Sequence, residues 1–280
     1  MRDISTKSIT EAVKRLSIEA NTDLSEDVTA ALDKALKNET SPTGREVLRQ
    51  IGQNAALARR EKLPLCQDTG TAVVFVEIGQ EVHLTGGTLA AAVNEGVSAG
   101  YTQGYLRKSM VSDPLLRRNS GDNTPALIHT EIVPGDRIKI GLLCKGGGAE
   151  NKSAIRLFKP TTPLKEIEDF VLETIKNAGP DACPPLIVGV GIGGNFDGVA
   201  LLAKKALLRP VGQHHSAADV AKMERELLAK ANRLGIGPMG LGGATTALAV
   251  NIEKQPCHIS SLPVAVNIEC HAHRYKHTII

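Results

Sequence analysis

The stretch Asp181–Asn195, DACPPLIVGVGIGGN, carries the decision about the fold. Its apolar run Leu186–Val190 enters a glycine turn, and GVGIGG formally matches G-x-G-x-x-G at Gly189, Gly191 and Gly194. A dinucleotide-binding fold needs more than glycines. A second strand must carry an acidic residue about 20 residues further on, to bind the ribose. At that distance stands RPVGQHHSAAD, Arg209–Asp219, which reads as a loop entering another helix. The glycines are therefore read as a strand-to-helix turn with close approach of two backbones. A dinucleotide-binding module using Gly189–Gly194 stays open as an alternative of another class.

Working outward, a helix begins at Ser216 with Val220, Met223, Leu227 and Leu234 on its apolar face. Asp219 stands at the capping-box position and Gly235 at the C-terminal stop. TTALAVNIE, QPCHIS and LPVAVNIEC then read as strands. Upstream, a helix runs from Pro163 to about Asn177, with Thr162 as N-cap and Gly179 beyond its end. PALIHTEIV and DRIKIGLLC flank Pro134-Gly135, the central pair of a type II turn, and predict a hairpin that delivers KGGGAENKS.

Tyr105–Pro125 lacks periodicity and reads as a long, functional loop. A small-residue helix precedes it over Leu89–Ala99, and a strand over Ala72–Ile78. The first sixty residues are helical: Leu24, Val28, Leu32 and Leu36 share a face, and Ser41-Pro42 opens a further helix. The expected fold is mixed α/β (α+β). N-terminal helices are followed by a mixed or antiparallel sheet flanked by helices, counted as one domain over residues 1–280 with two lobes allowed.

The 280 residues carry 33 Lys and Arg against 30 Asp and Glu, a net charge of +3, which exerts no strong pull on nucleic acid or anionic membrane. Tryptophan is absent and aromatics are 2% of residues, so no platform exists for stacking bases. No apolar run has the length of a membrane span. MRDISTKSITEAVKRL lacks the hydrophobic core of a signal peptide, which makes the cytoplasm the expected compartment. The five cysteines cannot all pair and none forms C-x-x-C, against a disulfide framework. A metal site would have to collect distant cysteines, and a structural zinc on three cysteines and a histidine is one such arrangement.

The segment LPLCQDTGT, Leu63–Thr71, sets a cysteine beside an amide, a carboxylate and a hydroxyl. A lone cysteine is most often a buried thiol; Cys66 could also be a nucleophile or a ligand. Cys66, Cys183 and Cys270 each lie at an edge of an expected strand beside turn residues, where a sheet presents ligands. Cys144 also ends a strand, so the pattern does not select among them. Asp68 and His258, if brought together, would make an acid–base pair. The glycines of KGGGAENKS could offer backbone N–H groups to an anionic oxygen, or serve only as a flexible connection.

Taken in order, LPLCQDTGT, NSGDNTPA, KGGGAENKS, DACPPLIVGVGIGG, LAKKALLRPVG, RLGIGPMGLGGATTALAVNIE and CHISSLPVAVNIECHAHR resemble the alpha subunit of two-subunit class I fumarate hydratase. The same segments resemble the N-terminal half of single-chain iron–sulfur fumarases, from about Thr43 to Arg274. The resemblance implies a [4Fe–4S] hydro-lyase with Cys66, Cys183 and Cys270 as cluster ligands, and Cys144 and Cys257 outside that set. Three protein ligands would leave one iron open as a Lewis acid. It further implies Asp68, coupled to His258, as proton donor to the leaving oxygen. Gln67, Arg107 and the backbone N–H groups of Gly147 or Gly148 would hold carboxylate oxygens of a small dicarboxylate, fumarate or malate.

The resemblance also implies a separate beta subunit that completes the site and supplies the base, in a hetero-oligomer. Iron–sulfur tartrate dehydratase, whose glycine segment lacks the ENKS continuation, and mesaconate hydratase are the alternatives within the same family.

Overall fold

The computed structural model describes residues 1–280. In chain order the elements are β1 (Arg2–Ser5), α1 (Thr6–Thr22), α2 (Glu26–Asn38), α3 (Pro42–Glu61), β2 (Thr71–Gly79), β3 (Val82–Thr85) and α4 (Leu89–Gln103). Next come β4 (Leu127–Val133), β5 (Ile138–Lys145), the single turn α5 (Gly147–Glu150), β6 (Ala154–Phe158) and α6 (Leu164–Ala178). The chain finishes with β7 (Leu186–Gly194), α7 (Phe196–Ala206), α8 (Ala218–Asn232), β8 (Ala247–Cys257), β9 (Leu262–Glu269) and β10 (Tyr275–Ile279). The fold is mixed α/β, and none of its helices is long and apolar enough to cross a membrane.

The chain forms two compact units, each built from separated stretches of sequence. The first comprises Met1–Ser25, Asn54–Gly147 and Arg274–Ile280. Its four-stranded sheet has the order β10-β5-β2-β4, with a two-stranded parallel ribbon of β1 and β3 beside it. α1 and α4 cover the sheet, burying Ile9, Val13, Leu16, Val93 and Val97 against Val74, Ile140 and Leu142. Small residues let the two helices touch at backbone distance. A Cβ on Gly96 would stand 2.7 Å from Thr10 O, and one on Gly100 2.8 Å from Ser17 Cβ.

The expected hairpin does not form. β4 and β5 are consecutive, but β2 lies between them, parallel to β4 and antiparallel to β5. The physical reason lies in β2, whose run Ala72–Val76 is wholly buried and needs a partner on each edge. The Pro134-Gly135 turn therefore crosses over the end of β2. There Gly79 and Glu81 donate to Arg137 O and Gly135 O at 2.8 and 3.0 Å, and a Cβ on Gly79 would meet Gly135 O at 2.3 Å.

The second unit comprises Glu26–Gln53 and Gly148–His273. Its sheet has the order β6-β9-β7-β8, with β7 parallel to β8 and antiparallel to β9. α7 lies on β7 at backbone contact: a Cβ on Gly189 would be 2.1 Å from Ala203 O, and one on Gly191 2.5 Å from Val199 O. The N-terminus of α7 is capped by its own chain, Asn195 Oδ1 accepting from Gly198 N–H at 3.0 Å. The glycines of GVGIGG thus serve helix–strand packing.

Two caps differ from expectation. Pro163, not Thr162, is the N-cap of α6 and makes no side-chain bond. α8 starts without a side-chain cap, because its N-cap residue is Ala217, and Asp219 in its first turn pairs with Lys254 at 3.1 Å. QPC is not a separate strand but the end of β8.

Candidate active site

The CQDTG loop of the first unit joins the end of α3 to β2, and neighbouring groups fix it closely. Gly70 adopts a positive φ of 75°, and a Cβ there would stand 2.7 Å from Lys145 C and O. Tyr101, fully buried, directs its hydroxyl at Thr69 O (2.8 Å) and Gly70 O (3.0 Å). Burial, reinforced by neighbouring Cys144, pushes the Tyr101 pKa well above its ordinary value, so the phenol remains a donor. Asn123 Nδ2 donates to Gly70 O at 3.2 Å, while its Oδ1 accepts from Ser109 and Met110 N–H at 2.6 and 3.1 Å. Thr69 Oγ1 donates to Arg107 O at 2.8 Å. The long loop and the CQDTG turn are one hydrogen-bonded body.

Within that frame Asp68 is half-buried and gathers donors. Its Oδ2 accepts from Gly147 N–H at 2.8 Å, and its Oδ1 from Gly70 N–H at 3.1 Å and Ser109 Oγ at 3.4 Å. The Gly147 amide, expected to face a substrate oxygen, is thus engaged by Asp68. Cys66 is half-buried, and its Sγ accepts from Asp68 N–H at 3.4 Å. Gln67 and Arg107 expose their side chains.

Arg274 is a site neighbour that sequence reasoning missed. It is 1% exposed, its Nε donates to Cys144 O at 3.1 Å, and its Nη2 lies 2.9 Å from where a Cβ on Gly146 would be. That contact explains why a glycine precedes Gly147. Cys144 is a core thiol, accepting from Asn21 Nδ2 at 3.2 Å.

In the second unit Cys183 and Cys270 share one end of the sheet. Cys183 precedes β7, Cys270 follows β9, and the two strands are antiparallel, with Ile187 opposite Glu269. Cys183 closes a one-turn 3-10 helix in the left-handed region (φ 54°, ψ 64°). Its carbonyl accepts from His271 Nδ1 at 2.9 Å, which ties the two cysteine-bearing turns together. Gly148 lies in the adjoining turn α5, where a Cβ would lie 3.2 Å from Asp181 O.

The ENKS residues are engaged in holding this end of the sheet. Glu150 pairs with Lys204 and accepts from Asn267 Nδ2 at 2.9 Å. Lys152 pairs with Asp181 at 2.7 Å, and Ser153 Oγ accepts from Ile268 N–H at 3.0 Å.

His258 lies in the turn between β8 and β9, at the opposite end of β9 from Cys270. Eight residues of strand separate them, about 25 Å at the usual rise. Its Nδ1 accepts from Ser260 N–H at 3.1 Å, which leaves the proton of the neutral ring on Nε2. Cys257 shares this distal end and is exposed.

In neither unit do three or more His, Cys, Asp or Glu side chains converge on a point where a single metal ion would sit, so a structural zinc has no ready-made site in either. A four-iron cluster is broader than an ion, and its donors need not converge so closely. The thiols fit that group chemically. Cys66, Cys183 and Cys270 are half-buried on turns at sheet ends, and one sulfur already receives a backbone N–H, the kind of bond that tunes cluster thiolates.

Residues 10–279 match the family model described as fumarate hydratase (Fumerase). The chain is 43% identical over 272 residues to a Methanocaldococcus jannaschii protein provisionally named L(+)-tartrate dehydratase subunit alpha, covering 95% of both chains. It is 32% identical over 269 residues to the L(+)-tartrate dehydratase subunit alpha of Escherichia coli strain K12 and to that of Shigella sonnei, covering 95% of this chain and 88% of each relative. By the extent of the family match and the two-ended coverage of these relatives, the chain belongs to the fumarate hydratase (Fumerase) family of hydro-lyases.

Proposed function

We propose that the chain is the alpha subunit of a [4Fe–4S]-dependent fumarate hydratase, interconverting fumarate and (S)-malate together with a beta subunit. Cys66, Cys183 and Cys270 hold the cluster, and the chain acts as a single catalytic subunit in a reducing, cytoplasmic compartment where five free thiols persist. When bound, the group supplies a Lewis-acidic iron to the oxygen that leaves as water.

The observation that carries the reading is the fixed CQDTG loop. It holds Asp68 by three donors at the mouth of β2 while leaving Gln67 and Arg107 open to solvent. Asp68 moves the proton at Oδ2 or Oδ1, Ser109 and Gly147 orient its carboxyl group, and Gln67 and Arg107 bind the substrate carboxylate. Gly148 we assign to the same role through its backbone N–H, which would hold a carboxylate oxygen. His258 is kept as the group that couples to Asp68 in the proton transfer. The relatives' designation as alpha subunits supports a second subunit, and to it we assign the base.

L(+)-tartrate dehydration is the second reading. The names of the relatives favour it, and the ENKS side chains that set fumarase apart in sequence are occupied with structure.

Anaerobic co-expression with the beta subunit tests both. Iron and acid-labile sulfide should be near four each per heterodimer, and should fall away in Cys183→Ser but not in Cys144→Ser. Formation of fumarate from malate at a rate well above oxaloacetate from tartrate supports the first reading, and the reverse order supports the second. Asp68→Asn should slow either reaction about a hundredfold or more. Iron-free protein after reconstitution sinks both.

A further inference from the structure

Gly146 is a glycine that no backbone conformation demands. Unlike Gly70 it does not adopt a positive φ, so other residues could take up its backbone angles. What demands it is space. The position is buried, and a Cβ there would stand 2.9 Å from Arg274 Nη2 and 3.5 Å from Asp68 Oδ2. A guanidinium and the carboxylate assigned the proton therefore crowd one corner at the end of β5.

Arg274 reaches that corner from a fixed seat. It holds Cys144 by both backbone groups: its carbonyl accepts from Cys144 N–H at 2.9 Å, and its Nε donates to Cys144 O at 3.1 Å. Three residues beyond Cys144, Gly147 gives its N–H to Asp68 Oδ2 at 2.8 Å. Tyr101, whose hydroxyl holds the CQDTG turn, also lies within reach of the Arg274 charge. A buried guanidinium is costly unless its charge and donors are used. Pairing β10 with β5 needs only backbone groups, so that pairing does not account for the side chain.

We infer that Arg274 is a positioning residue for the reaction. By clasping Cys144 it fixes the turn at Gly146 and Gly147, so that the Gly147 amide stays on Asp68. Its guanidinium stays beside that carboxylate because Gly146 has no side chain. The inference rests on Asp68 being the group that moves the proton. Arg274 itself touches neither the cluster nor the substrate, and acts through Gly147 and Asp68.

The complex with the beta subunit, prepared anaerobically, tests this by residue-resolved amide exchange and by steady-state rates. Arg274→Met should speed exchange at Gly147 about tenfold or more, while the β10 amides that pair with β5 keep their protection. It should lower kcat roughly tenfold to a hundredfold and leave KM within about twofold, because Gln67 and Arg107 still bind the carboxylate. Iron and sulfide should stay at the wild-type level. Arg274→Lys keeps the charge and one donor for Cys144 O, and should recover part of the lost kcat. Gly146→Ala keeps Arg274 but pushes its Nη2 end off the corner, and should also lower kcat at unchanged KM. Unchanged Gly147 exchange in Arg274→Met, a loss that appears in KM instead of kcat, or Arg274→Lys no faster than Arg274→Met would each overturn the inference. If Arg274→Met does not fold, Gly146→Ala decides, and a wild-type kcat there overturns it. A wild-type complex inactive on malate and tartrate alike would count against the proposed reaction, while the exchange comparison would still decide whether Arg274 holds Gly147.

Discussion

Glu39 is a carboxylate bound by its own chain. It is 3% exposed and lies between the end of α2 and the start of α3. Its Oε1 accepts from Thr40, Ser41 and Ala244 N–H at 2.9, 3.0 and 2.8 Å, and its Oε2 from Thr245 N–H at 3.0 Å. Burial pushes its pKa up, but the N–H groups of Ala244, Ser41 and Thr245 outweigh that and hold it below the ordinary 4.5. A folded pKa below the unfolded one contributes stability that is complete above about pH 4.5 and is lost as pH falls through the lowered value. Glu39→Gln should therefore cost about 2 kcal/mol near neutrality and flatten the acid limb of a urea-midpoint profile. Little of this is legible in KNETSP, where Glu39 resembles any charge at a helix end. Its partner Ala244 lies 205 residues away, and only the fold supplies it. Tyr101, Asn123 and Arg274 were hidden for the same reason, whereas Cys66, Gln67 and Asp68 stood out because their chemistry is consecutive.

At the scale of elements, what was legible was what is local. The α2 face, the opening of α3 at Pro42 and the passage from β7 to α7 follow from periodicity and glycine spacing within a few turns of chain. The arrangement of strands was not, because a turn motif such as Pro134-Gly135 fixes a reversal but not which strand fills the gap. β7 and α7 offer the sharper test. Replacing Gly189 by alanine would drive a methyl group to 2.1 Å from Ala203 O, a backbone atom that cannot rotate away. The expected loss is about 3 kcal/mol, read as a lowered denaturation midpoint. A cofactor-binding glycine at this place would instead tolerate the change in stability and lose only ligand affinity.

At the scale of the molecule, both units are assembled from distant stretches of the chain. The first unit's sheet is completed by β10, whose residues Tyr275–Ile279 pair with Leu143–Lys139 of β5. Removing residues 275–280 while keeping Arg274 should uncover the edge of a strand whose side chains Ile140, Leu142 and Leu143 are fully buried. The truncated chain should bind a hydrophobic dye and unfold at a markedly lower temperature, while a truncation that left Tm unchanged would deny β10 this role. The same arrangement has a consequence in time. β5 leaves the ribosome about 130 residues before its edge partner, an interval of roughly 6 to 26 seconds at ordinary rates of synthesis. Through that interval β5 is paired on its β2 side only and shows one open apolar edge, so the yield in the cell should depend on whatever shields that edge until residues 275–279 emerge.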